Sequence, residues 1–422
     1  MNTLLLAPAL SPLDPGTQGM GAAIRDFAHS LDQEGWQVTV VIGLSPSADL
    51  QRVALAQRLE RVEIDGRSLV IHEGTMEGGK IKLIAVAVDQ SSATPEPSHV
   101  LQAALTLIDP PESIQVWPKT QSALTWAATL AKAPISIAHI AEPKTGHRFS
   151  VEGFDTAAML ILPSAGCAQR MRRAKDSKLS PFSEKLFGFV PGYDSREWNP
   201  GRDSLLRTRL NPPTLATKEE NKKALRAELG LPDADVPLIG IVSRISAMQR
   251  SVGEEILKLG VQLVGAEAGP AIESLVSRAP NQVACPNLTT DREKRQLRHR
   301  ILAAADFVIM PQQNMASSQL FPCRYGAAII ARDKGEFAER LINFDPQTLT
   351  GSGFLYTEEH ELSAAVARAL AAWQKGEKTR TALIERSVAL DLSWTTPTLR
   401  LGEWVGGLAK QELPKKDPAK TK

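Results

Sequence analysis

Apolar and amphipathic segments alternate regularly along the first part of the chain. The apolar run Asn2 to Pro8 precedes a glycine- and proline-rich loop, and Met20 to Gln33 has apolar residues at helical spacing. Gly35 follows as a helix C-cap, and Trp36 to Ile42 is a β-branched run typical of a strand buried on both faces of a parallel sheet. Strand, loop, helix and strand at this spacing predict a βαβ unit.

Further strand candidates continue this alternation. Val62 to Ile71 and Ile81 to Val88 are predicted to pair across the turn at Gly78-Gly79. Ile135 to His139 and Ala157 to Leu162 are short apolar runs that extend the same sheet. The first half of the chain therefore has the pattern of one α/β domain.

A second alternation begins at Val236 and continues through apolar runs to two C-terminal helices, Glu361 to Trp373 and Thr379 to Leu390. Before it, between Val190 and Asp233, proline, asparagine and charged residues gather and the periodicity fades. We therefore predict an α/β protein with two doubly wound, Rossmann-like domains facing a cleft. The predicted domains are residues 1–200 and 236–405, joined by the connection 201–235. The basic segment 406–422 is predicted to be a disordered tail.

Composition narrows the class of protein. The 422 residues are 43% hydrophobic and 23% charged, which are ordinary values for a globular protein. The 49 basic and 47 acidic residues nearly cancel, so neither a nucleic acid nor a membrane is an expected partner. Cys167, Cys285 and Cys323 match no metal-ligand spacing and are expected to be reduced thiols. The N-terminal apolar run lacks a basic segment before it, so we expect a cytoplasmic protein. The sequence has no His, Cys or carboxylate cluster with metal-ligand spacing and no P-loop or Rossmann fingerprint, so we expect no metal and no cofactor.

The most informative stretch is Ile301 to Phe337, ILAAADFVIMPQQNMASSQLFPCRYGAAIIARDKGEF. It predicts helix, strand, loop, helix, strand and loop, and it resembles the sugar-nucleotide half of bacterial glycogen and starch synthases. That family has the GT-B architecture. Its loop after the strand carries an acidic residue in a pattern like E-P-C-G-L-x-Q-L. Anchored on Arg324-Tyr325-Gly326, the acidic position falls on Gln313.

A second resemblance concerns phosphate binding. Val242 to Arg250, VSRISAMQR, is similar to the family's V-S-R-L-T-x-Q-K-G, whose arginine and lysine clamp the donor diphosphate. Arg244 matches the arginine, and the lysine position falls on Gln249, beside Arg250. The resemblance thus implies a catalytic role for Arg244. A surface or interdomain ion pair is the alternative.

Arg332 to Glu336 is similar to the family's glycine-rich R-x-T-G-G, but only Gly335 remains of the glycine pair. Asp333 and Glu336 are expected to repel an anionic donor. A helix is predicted to start near Ser317-Ser318 and to offer its N-terminal amides to a phosphate, with ordinary N-capping as the alternative.

In the first half, Gly16 to Met20 corresponds to the family's K-T-G-G-L, with the lysine and one glycine replaced. Ser136 to Ala141 resembles T-I-H-N-I-A, but the family histidine falls on Ala138. His139 is displaced by one residue, which points its ring to the opposite face of the strand. A satisfied core histidine is the alternative to a catalytic one. The family's H-D-W appears only as Gln115-Val116-Trp117.

These resemblances imply one set of candidate site residues. The catalytic candidates are His139 and Arg244, and the candidates for binding a nucleotide sugar are Thr17, Gly19, Gln249, Arg250, Ser317, Ser318, Arg332, Lys334 and Gly335. The implied function is glucosyl transfer from a nucleotide sugar of the ADP-glucose type to an α-1,4-glucan, impaired by the substituted positions. The alternative is a non-catalytic paralogue, a pseudoenzyme, that binds glucan or a partner enzyme of glycogen metabolism as a regulator or scaffold.

Overall fold

The structure is a computed structural model. It describes residues 1–10, 13, 18–45, 48, 50, 53–76, 78–89, 91, 93–130, 134–140, 150–175, 177–193, 195–243, 250–267, 269–310 and 318–412. The chain divides into two compact units. The first unit comprises Met1–Gly192 and the segment that begins at Ser393, and the second lies between Tyr193 and Leu392.

In the first unit the described strands form one sheet, in the order β3-β4-β5-β2-β1-β6-β7-β8-β9. The strands are β1 Asn2–Ala7, β2 Gln37–Gly43, β3 Leu55–Ile64, β4 Arg67–Thr75, β5 Lys82–Val88, β6 Ser113–Val116, β7 Ile135–His139, β8 Met159–Leu162 and β9 Leu186–Gly188. Neighbours are parallel except for β3 with β4 and β4 with β5. Strand order reverses between β1 and β6, which makes this point the topological switch of the sheet.

Strand β1 shows why this sheet is covered on both faces. Leu4 and Leu6 belong to one buried cluster, whereas Leu5 and Ala7 belong to another. Because successive side chains of a strand point to opposite faces, an unbroken apolar run fits a strand with helices on both sides.

The helices of the first unit are α1 Gln18–Gln33, α2 Pro97–Leu105, α3 Ala123–Ala127, α4 Ala165–Arg173 and the C-terminal α12 Thr395–Glu412. A 3₁₀ helix spans Ser180–Lys185. Helix α12 packs on α1, with Ser30 Oγ 2.9 Å from Thr398 Oγ1 and with Leu401 buried in the same cluster as Phe27. This apolar contact explains why the chain returns to the first unit after Leu392.

In the second unit six described strands form a fully parallel sheet, in the order β12-β11-β10-β13-β14-β15. The strands are β10 Leu238–Ile241, β11 Gln262–Gly265, β12 Val283–Ala284, β13 Phe307–Met310, β14 Ala328–Arg332 and β15 Gly353–Tyr356. The helices are α5 Leu215–Leu229, α6 Arg250–Lys258, α7 Pro270–Glu273, α8 Asp291–Ala304, α9 Gly335–Arg340, α10 Leu362–Trp373 and α11 Glu377–Val388, with 3₁₀ helices at Phe321–Tyr325 and Glu359–Glu361. The topological switch lies between β10 and β13.

Two parallel-sheet, Rossmann-like domains confirm the predicted fold class. The structure differs from the predicted domain bounds in where each unit ends. Residues 201–235 lie inside the second unit, where the capping box at Thr214 starts α5 and Gly230 ends it with a φ of 71°. Residues from Ser393 onward join the first unit.

Two smaller differences concern local structure. The single strand expected from Val62 to Ile71 is a hairpin, because Asp65 and Gly66 turn the chain with φ values of 50° and 73°. Residues 406–412 form the last turns of α12, whereas residues 413–422 lie outside the described part of the chain. None of the described helices combines the length and the hydropathy needed to cross a membrane.

Candidate functional site

Three neighbouring strands of the second sheet end at one edge, and the chain leaves each of them toward a predicted site segment. Strand β10 leads to Arg250 at the start of α6, β13 leads to Ser318, and β14 ends in Arg332 and leads to Lys334 and Gly335. Because the three strands are parallel neighbours, their carboxyl ends converge at the topological switch, the place where doubly wound sheets bind ligands.

Three predicted residues, Arg244, Gln249 and Ser317, lie outside the described residues. So do Gln313, where the family's acidic position falls, and the loop around it. The described part of the edge therefore rests on five predicted residues.

Arg250 occupies the first position of α6. Its Nε donates to Glu254 Oε1 at 3.0 Å, a contact one helical turn along, and both side chains are more than 40% exposed. An exposed pair of this kind contributes little stability. The guanidinium of Arg250 is therefore an accessible positive charge.

Arg332 and Lys334 add two more cationic side chains at the end of β14. The Nε of Arg332 donates to the carbonyl of Thr357 at 3.0 Å, and the side chain of Lys334 is exposed. Gly335 has a φ of 60°, a left-handed backbone that glycine adopts without strain. This conformation turns the chain from β14 into α9.

Glu336 makes the contact that the sequence did not predict. Its Oε2 accepts from the backbone N–H of Gln319 at 2.9 Å, and the hydroxyl of Ser318 donates to its Oε1. Ser318 is 3% exposed, and its Oγ also accepts from the Leu320 amide at 3.1 Å. Burial raises the pKa of Glu336 to about 7, against the opposing effect of these hydrogen bonds.

The helix expected near Ser317-Ser318 begins later. Among the described residues, the first helical turn after β13 is the 3₁₀ helix Phe321–Tyr325, which starts with Leu320 as its N-cap. Ser318 is therefore not in the first turn of an α-helix. Its hydroxyl is hydrogen-bonded to the Glu336 carboxylate and to the Leu320 amide.

A buried polar network lies below this 3₁₀ helix, and sequence reasoning missed it. The imidazole of His299 lies between two carboxylates, with Nδ1 2.6 Å from Asp203 Oδ2 and Nε2 3.1 Å from Glu197 Oε1. The hydroxyl of Tyr325 donates to the same Asp203 oxygen at 3.0 Å. Burial alone would lower the pKa of His299, but the two carboxylates raise it above its ordinary value.

The Trp198 ring stacks between His299 and Phe321, at centroid distances of 4.8 and 4.2 Å. Trp198 falls in the stretch between Val190 and Asp233, where the sequence showed only a loss of periodicity. In the structure the Trp198 ring packs on Phe321, the first residue of the 3₁₀ helix, which begins three residues after Ser318.

The remaining predicted residues are Thr17, Gly19 and His139, in the first part of the chain. Gly19 lies in the first turn of α1, and Thr17 lies outside the described residues. His139 ends β7 and is 5% exposed. Its ring stacks on Trp117 at 4.4 Å, and burial lowers the pKa of His139 to about 3. This is the environment of a neutral core histidine, the alternative that the sequence left open, and a catalytic role for His139 stays a prediction.

Within the described residues, no group of three or more His, Cys, Asp or Glu side chains is placed to hold a metal ion. Among the described residues, no disulfide bond involves Cys167, Cys285 or Cys323. The polar groups at the edge of the second sheet include three cations and the hydrogen-bond donors of Ser318 and Gln319, which suit an anion. These two donors already hold the carboxylate of Glu336.

No protein-family model matches the chain. By sequence it is 31% identical over 233 residues to the glycogen synthase of Kosmotoga olearia, covering 52% of this chain and 48% of that protein. It is 30% identical over 250 residues to the probable starch synthase 4 of Arabidopsis thaliana, covering 54% of this chain and 24% of that protein. The chain spans about half the length of the glycogen synthases that it matches.

By structure the chain is similar to the catalytic domain of Starch Synthase IV from Arabidopsis thaliana bound to ADP and acarbose. The TM-score is 0.79 at 21% identity, covering 97% of this chain and 99% of that chain. A glycosyltransferase from Rickettsia africae gives a TM-score of 0.59 at 13% identity, covering 97% and 99%. These similarities show the GT-B fold.

Proposed function

We propose that this chain, a member of the glycogen and starch synthase family by its sequence, is a divergent hexosyltransferase. It binds a nucleotide sugar of the ADP-glucose type in its second unit and transfers the glucosyl group to an α-1,4-glucan, more slowly than an intact synthase. The observation that carries this proposal is that Arg250, Ser318, Arg332 and Lys334 lie at or after the carboxyl ends of three neighbouring parallel strands, β10, β13 and β14. The Arabidopsis domain of the same fold holds ADP and acarbose, which supports the choice of donor and acceptor.

The cations of this edge give the proposed chemistry its physical basis. Sugar transfer leaves negative charge on the departing diphosphate, and guanidinium and ammonium groups fixed in place stabilise that charge. Arg250 and Lys334 are accessible for this role, and Arg332 is the last residue of β14. The leaving group is thus the part of the reaction that this chain is best equipped to serve.

The expected slowness follows from the substituted positions. The family's lysine is Gln249 here, and its acidic loop residue is Gln313. If each lost contact removes about 2–4 kcal/mol of transition-state stabilisation, two independent losses slow the reaction by about a thousandfold or more.

The non-catalytic alternative is favoured by one observation, the carboxylate of Glu336 on Ser318 and Gln319. Ser318 is one of the residues that the resemblance gives to the nucleotide sugar. In that alternative the chain binds glucan, or a partner enzyme of glycogen metabolism, without turnover.

Calorimetric titration with ADP, beside co-sedimentation with glycogen, distinguishes the two. The transferase proposal expects saturable ADP binding that weakens several-fold in Arg250→Gln. Arg278→Gln is the matched control, because Arg278 also pairs with Glu254, at 3.4 Å, but does not follow any of the three strands of the edge. Co-sedimentation with glycogen without any ADP binding would contradict the transferase and support the alternative.

A further inference from the structure

Glu336 directly follows Gly335, so its side chain begins at the carboxyl edge of β14. Its carboxylate reaches across to the segment after β13 and takes two donors there, the Gln319 amide and the Ser318 hydroxyl. Both donors belong to buried residues, with Gln319 7% and Ser318 3% exposed. The carboxylate of Glu336 thus links the segment after β14 to the segment after β13.

The two donors form a set that suits an oxyanion in general. One main-chain N–H and one hydroxyl, aimed at two oxygens of the same group, bind a carboxylate or a phosphate by charge-assisted hydrogen bonds. The same edge of the sheet carries Arg250, Arg332 and Lys334, which favour anions. A ligand phosphate and the Glu336 carboxylate therefore have the same chemical requirements.

We propose that Glu336 is an internal competitor of the donor's phosphate, and that its carboxylate must leave Ser318 and Gln319 before a nucleotide sugar binds fully. This inference rests on the proposed function, and it makes Glu336 the residue that sets the affinity of the protein for its nucleotide-sugar donor. It also separates two effects of Glu336. Beyond repelling the donor by its charge, the side chain occupies the donor's hydrogen-bond partners.

The surroundings of Glu336 make its charge responsive to pH. The titratable groups that face it are Cys323 on the 3₁₀ helix and, on its own helix α9, Glu339 and Arg340. Arg340 stabilises the charged form and Glu339 opposes it, while burial raises the pKa of Glu336 to about 7. The carboxylate is consequently charged at pH 8 and mostly neutral at pH 6, where its competition with phosphate weakens.

The test is calorimetric titration of ADP into the full chain and two variants at pH 8. In Glu336→Gly the competitor is absent, and we expect ADP to bind at least about tenfold more tightly, since a hydrogen bond to a charged group is commonly worth a factor of ten or more in affinity. Glu336→Gln keeps the shape of the side chain and removes the charge. It should shift affinity in the same direction by less, and it carries the test if the glycine variant does not fold.

Glu385→Gln on α11 is the matched control, an exposed glutamate that is not among the titratable groups facing Glu336, and it should leave ADP affinity unchanged. The difference in affinity between wild type and Glu336→Gln should also shrink as the pH falls from 8 to 6. If wild type binds ADP and neither Glu336 variant binds it more tightly, competition is refuted and the proposed function stands. If ADP binds to none of the folded proteins, both proposals are refuted.

Discussion

Gln115 Oε1 lies 2.9 Å from Nε2 of His139 in the core of the first unit. The two residues lie on the neighbouring strands β6 and β7. Gln115 replaces the histidine of the family's H-D-W motif, and His139 lies one residue after the histidine position of T-I-H-N-I-A. Because an amide oxygen only accepts, the ring Nε2 donates, and the Gln115 amide nitrogen in turn donates to Thr3 Oγ1 at 3.2 Å. Gln115 and His139 thus form a neutral, buried hydrogen bond, and we expect this bond to stabilise the fold.

We predict that His139→Asn lowers the free energy of unfolding by about 1–3 kcal/mol at pH 7, because Gln115 loses its buried partner. It should also flatten the acid dependence of stability. Burial lowers the pKa of folded His139 to about 3, whereas the unfolded residue titrates near 6.5. The unfolded state therefore binds more protons below pH 6.5, and wild-type stability falls as the pH drops from 6.5 toward 3. Urea denaturation between pH 4 and 7 measures this slope.

His360 is exposed and provides the control variant His360→Asn, which should keep the wild-type slope. An imidazole of His139 that titrates near pH 6 in NMR spectra would contradict the core assignment. It would restore the case for an accessible catalytic histidine.

A second prediction concerns the pair Asp203 and His299. Asp203→Asn should lower the pKa of His299 and reduce the free energy of unfolding by about 3 kcal/mol, as loss of one partner of a buried ion pair does. Because the folded pKa of His299 is raised, its contribution is fully present below pH 6.5 and is lost as the pH rises through the folded pKa. The histidine ring signals in NMR, with urea denaturation at pH 6 and 8.5, measure both effects.

The exposed Asp235 supplies the control, since its ion pair with Arg380 at 3.8 Å lies at the surface. Asp235→Asn should change the stability little. Equal stability of Asp203→Asn and wild type at pH 6 would show that the network does not hold the 3₁₀ helix in place.

A third prediction concerns Lys218, which is 1% exposed and donates to the carbonyls of Tyr325, Ala303 and Leu302 at 2.9, 3.3 and 3.4 Å. Lys218→Met leaves these carbonyls without that donor and should cost about 1–3 kcal/mol. Burial lowers the pKa of Lys218 to about 7 from 10.5, so the unfolded state binds more protons between these values. Wild-type stability should rise from pH 7 to 10, and the variant should lose this rise.

Thermal unfolding across that pH range provides the measurement, with the exposed Lys223→Met on the same helix as control. If the two variants have the same profile as wild type, Lys218 does not titrate in the folded state near neutrality. The carbonyl contacts would then have to be stabilised by the charged form throughout.

Much of the fold was predictable because a strand that is buried on both faces has an unbroken apolar run in its sequence, as β1 does. The unit boundary at Ser393 was not. The contact of Thr398 with Ser30 joins residues 368 positions apart, and an amphipathic helix alone does not indicate which domain it covers. The hairpin at Asp65 was missed because the strand pattern from Val62 to Ile71 looks continuous across the two-residue turn.

The candidate site divides in the same way. Strand ends locate Arg250, Ser318 and Arg332, since parallel neighbours end at one edge. The contact between Glu336 and Ser318 depends on the spacing of β13 and β14, which no local pattern records. His139 illustrates an intermediate case, because its displacement by one residue predicted the change of face. Its contacts with Phe27 and Trp117 do lie opposite the cluster that holds Ala138.

The most direct test of the central claim is incorporation of radiolabelled glucose from ADP-glucose into glycogen, measured beside an intact glycogen synthase under the same conditions. We predict transfer that is detectable and slower by about a thousandfold or more, because Gln249 and Gln313 stand where the glycogen and starch synthases that the chain resembles have a lysine and an acidic residue. Turnover close to that of the intact synthase would contradict the claim of impaired transfer. Absence of transfer at any enzyme concentration would contradict the claim of a transferase.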